Sequence, residues 1–333
     1  MEAEKKTYTV AQIAQELGFN KATVSRALSG KGNLSAETRE RILAFAREHN
    51  YRPNAVAQSL ARSRTHNLAL MIPGDSSVFD VAFFRDCLHG ICQTASENSY
   101  DVLVTMDAEH PIEQLLRLIE NRKVDGIIAM RSLVGSPVAS VLEEKGFPYV
   151  LVGSTDNPSA IWIDNDNRSA CREMTEALIR KGIRKMALLG DSEDFCVTHA
   201  RRDGFLDACS AAGLDLSQQM IRCGVTGQEE IDAAISELMA QEIECIVCMD
   251  DCISNMTLVN LRSRNIRVPE DIKLVSFYDN VLLENHIPPI TAIRFDAVTL
   301  GKMACSEMIR MLETGSGESR LLSGYQITER QST

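Results

Sequence analysis

An all-α N-terminal module of three short helices in a helix-turn-helix plan, followed by an α/β body of two doubly wound subdomains, is the architecture that this sequence predicts. Three observations carry it. Apolar residues recur at helical spacing between Thr9 and Glu48, whereas beyond His66 short apolar runs alternate with amphipathic stretches. The charge divides along the same line: residues 1–66 hold 11 Lys and Arg against 6 Glu and no Asp, a net of +5, in a chain of net charge −11. The remainder therefore carries 24 basic and 40 acidic residues, a net of −16, and that asymmetry reads as a basic nucleic-acid module on an acidic body. A chain of 333 residues also exceeds the size at which a single core keeps growing.

In the first predicted helix, Val10, Ile13, Ala14 and Leu17 form one apolar stripe, and Gly18 suits a left-handed C-terminal cap. Asn20 is a fitting N-cap for KATVSRAL, whose Val24, Ala27 and Leu28 pack inward. Ser35 opens the third helix, with Ile42, Leu43, Phe45 and Ala46 on its buried face. Burying Val24 and Leu28 turns Lys21, Ala22, Ser25 and Arg26 outward, a surface able to enter the major groove of duplex DNA. There Arg26 offers a bidentate fork to guanine and Ala22 a methyl contact to thymine, while Thr23 and Ser25 suit phosphate. The bland alternative is a solvated face with ordinary charges. YRPN ends the third helix, because proline lacks an amide and disfavours helix in the residue before it. Asn54 then caps AVAQSLA, a run too short to be a stable helix alone in water, so this linker is expected to order against its twin and DNA. Leu60, its outermost apolar residue, either wedges between base steps in the minor groove or packs against the twin. With Thr9, Asn20, Asn33, Tyr51, Asn54 and Ala57, these residues make up the expected DNA contacts. The division is 1–53 for the headpiece, 54–66 for the linker and 67–333 for the body.

In the body, NLALMIP, YDVLVTMD, VDGIIAM, YVLVGS, KMALLGD, ECIVCMD and IKLVSF read as strands. Helix candidates such as IEQLLRLIENR, ACREMTEALIRKG and EEIDAAISELMAQ lie between them, which argues for parallel sheets. A ligand then belongs at the carboxyl ends of the strands, in the crevice between the subdomains. Asp75, Asp164, Arg201, Asp250, Asp251 and Asp279 stand at strand ends. Converging there they suit a polyhydroxylated or carboxylated small molecule; any one alone is as well explained as a helix cap or ion pair.

Other functions lose support. GxGxxG, GxxxxGK[ST], HExxH and GxSxG are all missing and the six histidines are isolated, so neither an enzyme nor a bound cofactor is expected. Cys245 and Cys248 make a CxxC inside a strand-like run with no second pair at zinc spacing, which places them in the core rather than on a metal. MEAEKKTYTV has no apolar signal region, and no stretch approaches the roughly 18 to 20 apolar residues of a membrane span, so a cytoplasmic chain is expected. A binding protein for transport would need an export signal and no basic headpiece.

The chain resembles the LacI/GalR family of bacterial transcriptional regulators over essentially its whole length. The resemblance runs from TVAQIAQELGFNKATVSRALSGKGNLSAETRERI through YRPNAVAQSLA and NLALMIP to AFFRDCLHGI, VDGIIAM, RRDGF, NIRVPEDIKLVSF, IPPITAIR and ITERQST. It implies a homodimer on a near-palindromic operator, a hinge helix in the minor groove, and two periplasmic-binding-protein-like subdomains clamping an effector. By position, Arg201 in RRDGF matches the family's effector-binding arginine, Asp164 falls near a polar contact, and Phe83 and Phe84 match an aromatic pair bordering the cleft. Asp250 stands before Asp251 where the family usually has asparagine. The departures are SFYDN, in which Tyr278 replaces an aspartate that often holds a sugar hydroxyl, a longer PGDSSVFDVAFF segment, and Met130 at a commonly polar position. Asp75, Phe84, Asp164, Arg201, Asp250 and Tyr278 are the expected effector contacts, with Trp162 and Tyr278 as rings able to stack on a sugar. No heptad repeat supplies a tetramerising element, which leaves a dimer as the expectation.

Overall fold

The computed structural model describes residues 8–30, 32–51, 64–74, 81–107, 111–322 and 324–333. The chain divides into two compact units, Met1–Thr65 and His66–Thr333. In the first, α1 (Val10–Leu17), α2 (Lys21–Leu28) and α3 (Ala36–Glu48) enclose a core of Ile13, Ala14, Val24, Ala27 and Ile42. The caps predicted at Gly18, Asn20 and Ser35 hold these helices, and Thr9 adds one that was not predicted. Thr9 and Gln12 form a capping box on α1, Asn20 Oδ1 accepts from Thr23 N at 2.7 Å, and Ser35 Oγ accepts from Thr38 N at 3.2 Å. Gly18 takes a left-handed φ of 74°, which turns the chain sharply from α1 into α2.

The second unit holds two six-stranded sheets, because the apolar runs alternate with helices long enough to cross back and keep neighbouring strands parallel. The first contains β1 (Asn67–Pro73), β2 (Asp101–Asp107), β3 (Gly126–Ala129), β4 (Tyr149–Val152), β5 (Trp162–Asn165) and β11 (Arg320–Leu322), in the order β11-β5-β4-β3-β1-β2. The second contains β6 (Met186–Leu189), β7 (Met220–Arg222), β8 (Cys245–Cys248), β9 (Lys273–Ser276), β10 (Thr291–Phe295) and β12 (Tyr325–Thr328), in the order β12-β10-β9-β8-β6-β7. Only the pairing of β12 on β10 is antiparallel among those described. Cys245 and Cys248 are fully buried in β8, as core residues.

Helices α4 (Ala82–Glu97), α5 (Pro111–Glu120), α6 (Pro137–Glu144) and α12 (Ala297–Thr314) belong to the first subdomain. The second has α7 (Asn167–Arg180), α8 (Cys196–Ala211), α9 (Gln228–Leu238), α10 (Asp251–Ser263) and α11 (Val281–Asn285). The chain crosses between subdomains three times: from β5 into α7, from β10 into α12, and from β11 into β12. Asp166 and Asp296, at the first two crossings, cap the helices that follow by accepting from Ser169 N at 3.1 Å and Thr299 N at 2.9 Å.

Close backbone contact fixes α12 on α4. A Cβ built on Gly301 would lie 2.2 Å from the Cys87 carbonyl oxygen, and one on Gly90 would lie 2.0 Å from that of Val298. Neither neighbour is a flexible side chain, so a methyl group must push the helices apart. Gly301→Ala is expected to lower stability by about 1–3 kcal/mol, measured by denaturant unfolding; an unchanged midpoint would show that the helices do not pack this way.

Candidate functional site

In the first unit, Lys21, Ala22, Ser25 and Arg26 are exposed on α2, while Val24 and Ala27 on the same helix are buried and Leu28 packs against the core. The helix N-terminus, with its unpaired amides and positive dipole end, lies at the Lys21 end of that face, where a phosphate oxygen would be favoured. The hydroxyl of Thr9 is occupied by the α1 cap and the side-chain oxygen of Asn20 by the α2 cap. Thr23 is half-buried, Asn33 is exposed, and Tyr51 is half-buried against the headpiece core, where burial pushes its phenol upward. Asn54, Ala57 and Leu60, with the linker helix expected there, lie outside the described residues, as does Asp75.

In the second unit, two polar residues expected to converge, Arg201 and Asp164, do so through one that the sequence reading passed over, Asn167. Arg201, on α8, donates from Nε to Asn167 Oδ1 at 3.2 Å and from Nη1 to the Met249 carbonyl at 2.6 Å. Asn167 Nδ2 in turn donates to Asp164 Oδ1 at 3.2 Å. Asp164, buried at the end of β5, also accepts from Asn165 N at 2.7 Å and Ser154 N at 2.9 Å. Met249 ends the β8 run and is followed by Asp250, so one arginine ties the ends of strands from both sheets. Its Nη2 makes no hydrogen bond among the described residues.

Asp250 caps α10, its Oδ1 accepting from Ile253 N at 2.8 Å. Burial first, and then the charge of adjacent Asp251, push its carboxyl up to about 6, against the pull of the cap and of Arg201. Asp251 is buried, accepts from Asn280 Nδ2 and is likewise raised, chiefly by burial. Asp250, Asp251 and Cys252 bring their ligand atoms within 4.8 Å of one another. They sit at the positive end of a helix, however, which disfavours a cation.

Four sequence candidates change character. Asp279 is buried and fully ion-paired, with Arg330 Nη1 at 2.8 Å and Arg294 Nη2 at 2.9 Å, so it braces the second sheet rather than facing a ligand. Trp162, at the amino end of β5, packs with the Leu115, Val138 and Tyr149 cluster, away from the strand ends that make the cleft. Tyr278 is only 5% exposed; its ring stands edge-on to Phe83 at 6.0 Å and parallel to Phe295 at 6.1 Å, which removes its face from any stacking partner. Burial raises its phenol well above the usual range, with Asp251 adding to the shift. Phe84 meets Phe83 edge-on at 5.3 Å and lies under the guanidinium of Arg131, 5.6 Å from the ring centroid.

Arg131 also stands 4.4 Å over the ring of Phe195, in the other subdomain. Beside it the loops after β3 and β6 pair as a short antiparallel bridge, Leu133 against Phe195. Val134 N donates to Asp194 O at 2.9 Å and Cys196 N to Ser132 O at 3.2 Å. The two subdomains are thus joined by backbone bonds at the carboxyl ends of their sheets. Sequence alone offered no signal for this bridge.

Comparison with known proteins agrees with both halves. A family model for bacterial regulatory proteins of the lacI family matches residues 9–54, and one for a periplasmic binding protein-like domain matches residues 175–333. The HTH-type transcriptional regulator CelR of Thermobifida fusca is 28% identical over 311 residues, spanning 91% of this chain and 90% of that protein. A structure of a CelR–cellobiose complex superposes with a TM-score of 0.74 at 24% identity, over 98% of this chain and 100% of that one. The lac repressor dimer bound to operator and the anti-inducer ONPF superposes with a TM-score of 0.81 at 20% identity, over 98% and 99% respectively, a likeness of fold.

Proposed function

This chain belongs to the LacI/GalR family of bacterial transcriptional regulators, and on that premise we propose that it is a repressor whose hold on its operator is switched by a small hydroxyl-rich metabolite. The observation that carries the reading is the exposed Lys21–Arg26 face of α2, on a unit of net positive charge joined to an acidic body. Residues 1–53 bind the duplex, 54–66 link, and 67–333 bind effector and pair with a second copy. A near-palindromic operator follows from the two-fold axis of the homodimer. Support for pairing through the second subdomain comes from α10, α11 and the loop after α11, where Val259, Val281, Leu282 and Ile287 are exposed, Ile287 by 85%. Catalysis is not proposed: Asp250 is engaged in a cap and Asp164 in three hydrogen bonds. Among the described residues no helix is long and apolar enough to cross a membrane, which fits a protein working where the DNA is, in the cytoplasm.

The effector reading rests on Asp164, Arg201 and Asp250, with Phe84 at the rim, and on Asp75 by position; Tyr278, packed against Phe83 and Phe295, drops out of it. A ligand hydroxyl that donates to Asp250 favours the ionised carboxylate. Because Asp250 titrates at about 6 in the folded chain, well above an ordinary aspartate, the sign of its pH effect is fixed. Without ligand its contribution to stability is greatest at low pH and is lost as pH rises from about 4 through 6. Ligand binding runs the other way and tightens about tenfold between pH 5 and 7, as the ionised fraction grows.

The test is a thermal-shift screen of sugars, sugar acids and nucleobases, cellobiose included, followed by gel shifts on duplexes selected by the protein from a random pool. A ligand at a hundred times its dissociation constant raises stability by about 2.7 kcal/mol. Titrating the hit at both pH values then checks the carboxylate; affinity that stays flat or falls with pH would remove Asp250 from the ligand. Failure to select any duplex in a salt-sensitive manner would remove the function itself.

A further inference from the structure

The loop between α2 and α3 carries a feature that the DNA-contacting set above does not include. Gly32 has a φ of +86°, and a Cβ built on it would lie 3.1 Å from Arg26 Cδ and 3.5 Å from Cγ. The aliphatic stem of Arg26 therefore lies directly on the α-carbon of Gly32. The loop is pinned in that place from the other side, since Arg39 Nη2 donates to the Gly32 carbonyl at 3.1 Å. Ser29, the first residue past the helix, donates its hydroxyl to the Arg26 carbonyl at 3.3 Å, fixing the backbone end of the same residue.

We propose that Gly32 and Arg39 are positioning residues for base recognition: the loop they fix forms a floor that aims the Arg26 guanidinium into the major groove, so base choice at one position depends on residues that touch no base. The proposal rests on the reading of Arg26 as the base-contacting residue. Its physical content is entropic and geometric. An exposed arginine loses much rotamer freedom on meeting a guanine edge, and bidentate recognition tolerates little angular error. A stem already lying on a fixed backbone surface arrives with fewer conformers to lose. Only glycine suits the floor, because a methyl group there meets Arg26 Cδ at a separation that makes the stem move, and because L side chains rarely adopt this φ.

The experiment uses the full-length protein on the best duplex selected from a random pool and on the three variants of it at the base pair that Arg26 reads. Discrimination, the ratio of affinities for the best and the substituted base pair, is measured for wild type, Gly32→Ala, Gly32→Asn, Arg39→Gln, Arg26→Ala and the double variant Gly32→Ala with Arg26→Ala. Asparagine tolerates positive φ, so it keeps the loop where alanine strains it. Expected is a loss of discrimination by about two- to twelvefold at that base pair alone in each Gly32 and Arg39 variant, the factor that holding a side chain about 30° off its rotamer imposes. In the Arg26→Ala background, Gly32→Ala should then change discrimination no further. Equal weakening on every sequence, or the same effect of Gly32→Ala with and without Arg26, would overturn the positioning role and leave the base reading intact. An Arg26→Ala protein that discriminates as well as wild type would overturn both.

Discussion

Replacing Arg201 with alanine is expected to abolish the response to effector while leaving operator affinity unchanged. Arg201 holds together the end of β5 and the residue after β8: Nη1 bonds the Met249 carbonyl at 2.6 Å, and Nε bonds Asn167, which bonds Asp164. Its Nη2 makes no hydrogen bond among the described residues and is the group proposed for the ligand. Each hydrogen bond from a charged donor contributes about 1.5–3 kcal/mol, so losing the ligand bond alone weakens binding by roughly ten- to 150-fold. The loss also unpins Asn167 and leaves the charge of Asp164 without its nearby cation, which costs further affinity. Arg201→Lys keeps that charge but not the planar fork, and should recover part of the binding. Isothermal titration with the ligand found by thermal shift, alongside gel shifts, separates the two effects. A normal titration by Arg201→Ala protein would take this residue out of the pocket.

The second large effect is expected from Arg26→Ala. It should cost about 1–3 kcal/mol on the selected duplex and relax the preference at one base pair. Lys21→Ala serves as the contrast. A lysine at the amino end of the helix neutralises phosphate, so its loss should weaken all sequences alike and reduce the salt dependence by about one counterion. If Arg26→Ala lost as much on random DNA as on the selected site, base reading by this residue would be refuted.

Most of the fold was legible because it follows from period and capping. The second and third headpiece helices begin at Asn20 and Ser35 caps, and the first ends at Gly18, all read from residue type alone. Seven strands announce themselves as apolar runs, all but the edge strand β2 buried. The others escaped for physical reasons. β5 reads WIDN and β10 reads TAIRF, each interrupted by polar residues, while β7, β11 and β12 are short edge strands with little core to face. Candidate site residues were legible where a charge stood at a strand end, as with Asp164 and Asp250, whereas Arg201 lies inside α8 and not at a strand end. Which charges reach solvent is a tertiary matter: Asp279 looked equivalent until Arg294 and Arg330 closed over it. Asn167, Arg131 and Phe195 gave no pattern at all, since bridging and stacking depend on elements far apart in sequence.

The threefold crossing between subdomains also constrains how the chain assembles as it is made. When the segment through β5 emerges from the ribosome, the sheet face that Leu300, Ala304, Cys305 and Met308 will cover is still bare, because those residues come more than a hundred positions later. Its edge strand β11 comes later still. Neither half can finish alone, so the exposed face must be shielded in the interval, and any truncation before α12 leaves a sticky sheet rather than a smaller working domain.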